Sequence, residues 1–90
     1  MKILSVCGMG IGTSVLLKMN AEKVLEAMGV KAEVVAADIT KAKRDGIGAD
    51  IILTTPELVV LLEGMSGKII PIDHVFDLTE IRQKLTAALL

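Results

Sequence analysis

The residues best suited to chemistry lie together near the N-terminus. They form one continuous stretch, Cys7-Gly8-Met9-Gly10-Ile11-Gly12-Thr13-Ser14. Alternating glycines remove side chains, so the backbone can curl and direct successive N–H groups inward. A helix that follows such a loop adds its free N-terminal N–H groups and the positive end of its dipole. The pattern therefore predicts a loop that binds an anion of phosphate size.

The thiol of Cys7 stands at the start of this loop, where it can act as a nucleophile. Helix N-termini and hydrogen-bond donors stabilise a thiolate relative to a thiol, so we expect the pKa of Cys7 to be lowered. Thr13 and Ser14 add hydroxyl donors where the helix begins. A thiolate beside a phosphate-sized nest can attack phosphorus and form a thiophosphate intermediate. We predict that Cys7 is catalytic and that the residues from Gly8 to Ser14 bind phosphate.

Other interpretations of this stretch are open. A lone cysteine can be a buried core residue, and a glycine-rich turn after a first strand can bind a dinucleotide. The dinucleotide fingerprint spaces its glycines as G-x-G-x-x-G, whereas here they are Gly8, Gly10 and Gly12. A Walker A loop would need Gly-Lys-Ser/Thr, which this sequence lacks.

The composition indicates an α/β domain and excludes several classes of function. With 90 residues, 52% hydrophobic and Phe76 as the only aromatic, we expect one domain, 1–90, with an aliphatic core typical of a parallel sheet covered by helices. A net charge of −1 without a basic run argues against nucleic acid. A single cysteine excludes an internal disulfide and a cysteine-based zinc cluster, and we expect no metal and no cofactor. Without a signal peptide or membrane span, we expect a soluble, cytoplasmic and, given Met1, free-standing chain.

Short apolar runs alternate with helix-like segments along the chain. The predicted strands are Ile3–Val6, Ala32–Ala37, Ile51–Thr54 and Lys68–Ile72. The predicted helices are Ser14–Met28, a short turn from Asp38 to Gly46, Glu57–Glu63 and Leu78–Leu90. This alternation favours right-handed crossovers, a four-stranded parallel sheet in the order 2-1-3-4, and helices on both faces in a Rossmann-like three-layer arrangement. Cys7 then lies at the carboxyl end of the first strand, where the strand order reverses and ligands bind.

Helix ends and helix faces can also be predicted. Gly29 is expected to end the first helix, Gly64 to stop the third, and Thr55 and Asp77 to cap the third and the last. The apolar face of the first helix is predicted to comprise Val15, Leu16, Met19, Val24, Leu25 and Met28. The buried face of the last helix is predicted to comprise Ile81, Leu85, Ala88 and Leu89.

Several side chains follow strands at the same rim as Cys7. They are Asp38, Thr54, Thr55, Asp73 and His74. For Asp38 we favour a role in opening the short turn, and for His74 a loop position without a function, over contact with the site. Met9 and Ile11 are predicted to form a docking surface because they are apolar and lie beside the nucleophile. A basic cluster, Lys41, Lys43 and Arg44, is expected to be a solvated face.

The motif Cys7-Gly8-Met9-Gly10-Ile11-Gly12-Thr13-Ser14, followed by Leu17-Lys18-Met19, resembles the IIB components of the bacterial phosphoenolpyruvate-dependent sugar phosphotransferase system. It is most similar to the ascorbate type within the lactose/ascorbate/galactitol group. The resemblance implies that Cys7 accepts a phosphoryl group from a phosphohistidine of a IIA partner and passes it to a sugar, in this branch ascorbate, bound by the membrane component IIC. It also implies a cytoplasmic protein that associates transiently with the inner face of the membrane through IIC.

The low-molecular-weight tyrosine phosphatases share this fold and carry a Cys-x5-Arg-Ser/Thr loop. Here Thr13 takes the place of the arginine, and that guanidinium is what clamps the phosphoryl oxygens during hydrolysis. Asp73 is the only candidate for the acid that a phosphatase also needs. The sequence thus favours a carrier over a phosphatase. A non-catalytic module that senses anions is the third interpretation.

Overall fold

Strands and helices alternate along the described part of the chain. The computed structural model describes residues 1–8, 10–45 and 48–89. Its elements are β1 (Lys2–Val6), α1 (Gly10–Met28), β2 (Glu33–Ala37), α2 (Ile39–Asp45), β3 (Ile51–Thr54), a 3-10 turn (Pro56–Leu58) that leads into α3 (Val59–Leu62), β4 (Lys68–Pro71) and α4 (Leu78–Leu89). The predicted strands are confirmed to within one residue at each end. The predicted ends at Gly46 and Leu90 lie outside the described residues.

The strands form a parallel sheet in the order β2-β1-β3-β4, which confirms the predicted topology. Leu4 of β1 is paired with Val35 on one side and with Ile52 on the other. Ile52 is in turn paired with Ile69 of β4. Because β1 lies inside the sheet and the chain crosses from β2 back past it to β3, the carboxyl end of β1 is the point where the strand order reverses.

Both faces of the sheet are covered, because successive side chains of a strand point to opposite faces. Ile3 belongs to the core under α1 and α4, and Leu4 to the core under α2 and α3. The first core comprises Ile3, Cys7, Leu17, Ala21, Val24, Leu25, Val34, Ile51, Leu53, Ile70, Ile72, Ile81 and Leu85. The second comprises Leu4, Val6, Ala37, Ala42, Ala49, Ile52 and Leu62. Cys7 therefore faces the larger core, on the side of α1.

Helix α1 differs from its prediction in its start and in its buried face. It begins at Gly10, four residues before the predicted Ser14, so Gly10 and Gly12 belong to the helix and not to an open loop. Met19, predicted to be core, is 49% exposed, and Val15 is exposed as well. The buried stripe runs instead through Leu17, Ala21, Val24 and Leu25.

The predicted helix ends are largely confirmed. Gly29 has φ +72° and Val30 N–H donates to the Leu25 carbonyl at 2.9 Å, which ends α1 as a glycine C-cap does. Asp77 caps α4, since its Oδ1 accepts from the N–H of Thr79 at 2.9 Å and of Glu80 at 3.2 Å. Thr55 stands at the predicted N-cap before Pro56, but its side chain makes no capping hydrogen bond.

Within the described ranges, no helix combines the length and the apolar character needed to cross a membrane.

Candidate functional site

Cys7 directly follows β1 and precedes the start of α1. It is only 2% exposed, and its N–H points to the Ala37 carbonyl of β2 at 3.4 Å. The position is set by the sheet: β1 ends at Val6, and the chain must turn there to lead into the helix above the larger core. The prediction that the first strand brings Cys7 to the carboxyl edge of the sheet is confirmed.

Two clefts meet at Cys7 and Gly8. The β2-side cleft has a volume of about 500 Å³ and is further lined by Ser14, Val15, Ala36, Ala37, Asp38 and Lys41. The β4-side cleft has a volume of about 380 Å³ and is further lined by Thr13, Thr55, Glu57, Asp73, His74, Val75 and Phe76. Each cleft is large enough for a phosphoryl group, and the thiol is the chemical group that they share.

Two buried hydroxyl groups fasten the backbone on either side of Cys7. Ser5 Oγ donates to the Ser14 carbonyl at 2.7 Å and joins β1 to the early turns of α1. Thr54 Oγ1 donates to the Val6 carbonyl at 2.8 Å and joins the end of β3 to the residue before the cysteine. Sequence reasoning did not assign these roles. The available signal was a hydroxyl residue inside each of two otherwise apolar strands, where it needs a partner.

The predicted phosphate-binding residues are divided between the two clefts. Thr13 lines the β4-side cleft, and Ser14, which is buried, lines the β2-side cleft. Gly10 and Ile11 form the beginning of α1, and Met9 lies outside the described residues. The docking surface predicted for Met9 and the side chain of Ile11 therefore also lies outside what the structure describes.

The glycines of the motif have different surroundings. A Cβ added to Gly8 would lie 3.3 Å from Leu58 Cδ2, so a side chain there would press on the turn that follows β3. A Cβ at Gly12 would meet no atom within 4 Å. Gly8 therefore packs closely against Leu58 below the site, whereas Gly12 leaves open space on the surface of α1.

The electrostatic environment of Cys7 contradicts the predicted lowering of its pKa. Burial raises the pKa of the Cys7 thiol, and the negative charge of Glu57 in the β4-side cleft raises it further. The expected lowering is wrong: burial removes the thiolate from water, and the nearby carboxylate disfavours it further. Cys7 is thus a protonated thiol at neutral pH in the absence of a phosphoryl donor.

Thr55 brings an unusual hydroxyl group to the β4-side cleft. Its Oγ1 is buried and has no hydrogen-bond partner among the described residues. The side chain does not cap the turn that begins at Pro56, although the Thr55 carbonyl accepts from Leu58 N–H at 3.0 Å. An unsatisfied buried hydroxyl is unfavourable, so a bound group that supplied a partner would be stabilised there.

Residues 73–76 form the far wall of the β4-side cleft, and we refer to them as the rim loop. Glu80 of α4 accepts hydrogen bonds from the N–H of Asp73 at 2.7 Å and of His74 at 2.9 Å. Asn20 of α1 donates to the Val75 carbonyl at 2.8 Å. The rim loop is therefore held from both helices that cover this face of the sheet.

The charge of Glu80 is strongly stabilised. Desolvation acts against it, but hydrogen bonds from Lys84 Nζ, at 2.7 Å, and from the backbone of Asp73 and His74 lower the pKa of Glu80 to about 2. The Lys84 ammonium also donates to the Pro71 carbonyl and lies 3.6 Å from Asp73 Oδ2. Hydrogen bonding to Glu80 raises the pKa of Lys84 in return.

The remaining charged rim residues belong to the β2-side cleft. Asp38 Oδ1 accepts from Lys41 N–H at 2.7 Å, which confirms that Asp38 opens the short helix α2. Lys41, predicted to belong to a solvated face, is exposed and also lines the cleft beside Cys7. Asp38 and Lys41 bring opposite charges to this side of the thiol, whereas Glu57 and Asp73 bring negative charges to the other.

These groups can hold a phosphoryl group but are poorly equipped to hydrolyse one. A nucleophilic thiol, hydroxyl groups and the start of a long helix meet in one place. None of the described residues that line the two clefts is an arginine. The bidentate clamp that stabilises a phosphate-ester transition state is thus missing from these walls.

Comparisons with known proteins agree with this geometry. Among curated proteins, the chain is 33% identical over 88 residues to the ascorbate-specific PTS system EIIB component of Mycoplasma pneumoniae, covering 97% of this chain and 93% of that protein. Among solved structures, it is similar to the lactose-specific IIB component domain from Streptococcus pneumoniae, with a TM-score of 0.67, 20% identity, and coverage of 99% of this chain and 94% of that one.

A second solved structure has a similar fold. The crystal structure of Primo-1 matches with a TM-score of 0.54 and 16% identity over 97% of this chain and 92% of the other. At these identities both structural matches establish the fold alone. The family is established by sequence: residues 2–87 match the family model described as PTS system, lactose/cellobiose specific IIB subunit. The chain belongs to this family of phosphotransferase system IIB subunits.

Proposed function

We propose that this chain, as a single IIB domain over residues 1–90, carries a phosphoryl group on Cys7 between two partners of a sugar phosphotransferase system. The group comes from a phosphohistidine of a IIA component and goes to a sugar bound by the membrane component IIC. The observation that carries the proposal is the position of Cys7, at the reversal point of the sheet, below the start of α1, and at the junction of two clefts. Family membership supports the same role.

The transfer step follows from the groups around the thiol. The thiolate of Cys7 attacks phosphorus in line with the nitrogen that leaves, and a phosphocysteine forms. The N–H groups of Gly8 and of the start of α1, together with the hydroxyl groups of Thr13 and Ser14, bind the transferred group. Neutral donors stabilise the dianion without the guanidinium clamp that promotes hydrolysis, so the phosphocysteine survives until the acceptor arrives.

We propose ascorbate as the sugar, because the curated relative reported above is an ascorbate-specific EIIB component. The protein then works in the cytoplasm and meets IIC at the inner face of the membrane. The rim of the β4-side cleft offers an apolar contact for a partner, since the side chain of Phe76 is 77% exposed there. An exposed aromatic ring beside the nucleophile suits a short-lived protein contact.

A reconstituted system tests this proposal. Phosphoenolpyruvate, the general phosphotransferase proteins, this chain and membrane vesicles with ascorbate-type or lactose-type IIA and IIC partners are combined. We expect ascorbate phosphorylation that requires the chain and is lost in Cys7→Ser. If lactose alone is phosphorylated, the carrier role stands, and lactose takes the place of ascorbate as the proposed sugar. Turnover of an aryl phosphate by the isolated chain, with no phosphoryl transfer in the reconstituted system, would favour the phosphatase alternative.

A further inference from the structure

The carrier role requires a group that accepts the proton of Cys7, and the transfer step described above does not name one. The thiol is buried and protonated at rest, yet only a thiolate is an effective nucleophile. Besides Cys7, the ionisable side chains on the described walls of the β4-side cleft are Glu57, Asp73 and His74. Of these, imidazole is the group that exchanges protons readily at neutral pH.

The structure fixes which nitrogen of His74 can accept a proton. Nδ1 of His74 lies 3.3 Å from Glu80 Oε1. Glu80 is ionised at neutral pH, because its pKa is about 2, and a carboxylate can only accept a hydrogen bond. Nδ1 must therefore carry the hydrogen. In the neutral imidazole this leaves Nε2 with a free lone pair, which is the arrangement of a histidine base oriented by a carboxylate.

The backbone of His74 is held by hydrogen bonds, although its imidazole is exposed. Glu80 is 13% exposed in its side chain, whereas the imidazole of His74 is 76% exposed. The same carboxylate binds the backbone N–H of His74, and Lys84 holds the carboxylate from the next turn of α4. The backbone of the rim loop is thus fixed while the ring remains accessible from the cleft that contains Cys7.

We propose that His74 is the catalytic base that accepts the proton of Cys7, and that Glu80 is the positioning residue that keeps Nε2 free for it. This inference rests on the proposed function. As the donor docks, the Cys7 S–H bond breaks and its proton binds His74 Nε2. The sulfur electron pair forms the S–P bond while the P–N bond of the donor's phosphohistidine breaks. The donor nitrogen keeps that electron pair and takes the proton from His74, so His74 ends neutral.

The charged groups around His74 favour this role. Glu80 contacts it from α4 and is itself bound by Lys84, Asp73 precedes it in the rim loop, and Glu57 lies across the cleft. Three carboxylates thus lie around the ring, and Lys84 is engaged by two of them. A proton leaving Cys7 towards His74 thus moves into a region of negative charge.

The test measures single-turnover transfer from a phosphorylated IIA protein to Cys7 as a function of pH. For the wild-type chain, we expect transfer to be fast at pH 7, because a general base is available to take the proton of Cys7. In His74→Gln the rate at pH 7 should fall by about 10²-fold, the usual contribution of a general base, and recover only at alkaline pH. Arg82→Gln, an exposed change on α4, is the matched control and should keep the wild-type profile.

Two further readouts separate a base from a structural residue. Because the chain contains 1 histidine, nitrogen NMR assigns its tautomer without ambiguity. We expect the Nδ1–H form in the wild type and its loss in Glu80→Leu, which has no acceptor for that hydrogen, with the transfer rate falling in parallel. Alkylation of Cys7 by iodoacetamide, which needs no donor protein, should be slower at pH 7 in His74→Gln.

The outcomes distinguish this inference from the function on which it rests. Normal phosphorylation of His74→Gln with an unchanged pH profile would overturn the role of His74 and leave the carrier intact. If the wild-type chain accepts no phosphoryl group from any IIA, the carrier proposal fails. Alkylation then decides the inference by itself, since equal rates in the wild type and in His74→Gln would refute it.

Discussion

At the scale of single residues, burial decides the properties of the site. Cys7, Ser5 and Thr54 are almost fully buried, and the two hydroxyls donate to the backbone carbonyls of Ser14 and Val6. Thr55 is the exception, since its hydroxyl has no partner among the described residues. The thiol has lost its contact with water and faces a carboxylate. Its reactivity therefore depends on what enters the clefts and not on the helix alone.

Thr54, the last residue of β3, and the adjacent Thr55 should respond in opposite directions to the same substitution. Thr55→Val replaces an unsatisfied buried hydroxyl by a methyl group, so we expect the free energy of unfolding to rise by about 1 kcal/mol. Thr54→Val removes the hydrogen bond to the Val6 carbonyl and should lower that free energy by about 1 to 3 kcal/mol. Urea denaturation measures both. Equal destabilisation by the two variants would show that the Thr55 hydroxyl is satisfied in solution.

Glu57 should control part of the acidity of Cys7. Its negative charge raises the pKa of the thiol, with burial as the larger cause. We therefore expect Glu57→Gln to lower the pKa of Cys7 without bringing it down to that of a free cysteine. The pH dependence of thiol alkylation measures this shift. Glu63→Gln, which removes an exposed charge beyond α3, is the matched control, and a shift of equal size there would contradict the assignment to Glu57.

At the scale of elements, α4 links the stability of the fold to the geometry of the site. Its residues Glu80 and Lys84 hold the rim loop through backbone and side-chain hydrogen bonds. Asn20 of α1 adds a bond to the same loop from the other side. These polar contacts lie at the carboxyl end of β4, so a change in α4 reaches the wall of the β4-side cleft.

The stability of this contact should depend on pH in a defined window. The pKa of Glu80 is about 2 in the folded chain, below the ~4.3 of an unfolded glutamate. As pH falls, the unfolded chain takes up this proton first, which favours unfolding. The contribution of Glu80 is therefore complete above pH ~4.3 and is lost as pH falls towards 2. Urea denaturation across this range should show a shallower loss for Glu80→Gln, and identical slopes would contradict the ionised contact.

The elements also show where sequence reasoning succeeds and fails. Alternating apolar runs and helical segments were enough to predict the sheet order, since crossover handedness leaves few alternatives. The start of α1 was missed because glycines have low helix propensity, yet the helix begins at Gly10. Met19 was placed in the core because its apolar character suits either face, and only the packed structure shows that Leu17 and Ala21 are buried instead.

At the scale of the whole molecule, the topology of the sheet determines where the site lies, and the packing around it determines the properties of its side chains. The position of Cys7 at the reversal point could be predicted from strand order alone. The rise in its pKa, the division of Thr13 and Ser14 between two clefts, and the support of His74 by Glu80 could not. Each depends on contacts between residues that are far apart in the sequence, and a single sequence does not show those contacts.

The molecule as a whole is suited to brief contacts with two partners. The clefts open on either side of one thiol, so different surfaces surround the same reacting atom. Asp38 and Lys41, of opposite charge, line the β2 side, and Glu57, Asp73 and His74 line the β4 side. A phosphoryl group on sulfur is therefore exposed to neighbours of different charge, which suits a carrier that must both receive and release it.

The most direct test of the central claim is the intact mass of the chain after incubation with phosphoenolpyruvate, the general phosphotransferase proteins and a IIA component. The sample is kept free of acid, because a thiophosphate ester is acid-labile, and Cys7→Ser is treated in parallel. We predict that the wild-type chain gains one phosphoryl group and that the variant gains none. A gain in both proteins, or a folded wild-type chain with a reactive thiol that gains nothing from any IIA, would contradict a phosphoryl carrier that acts through Cys7.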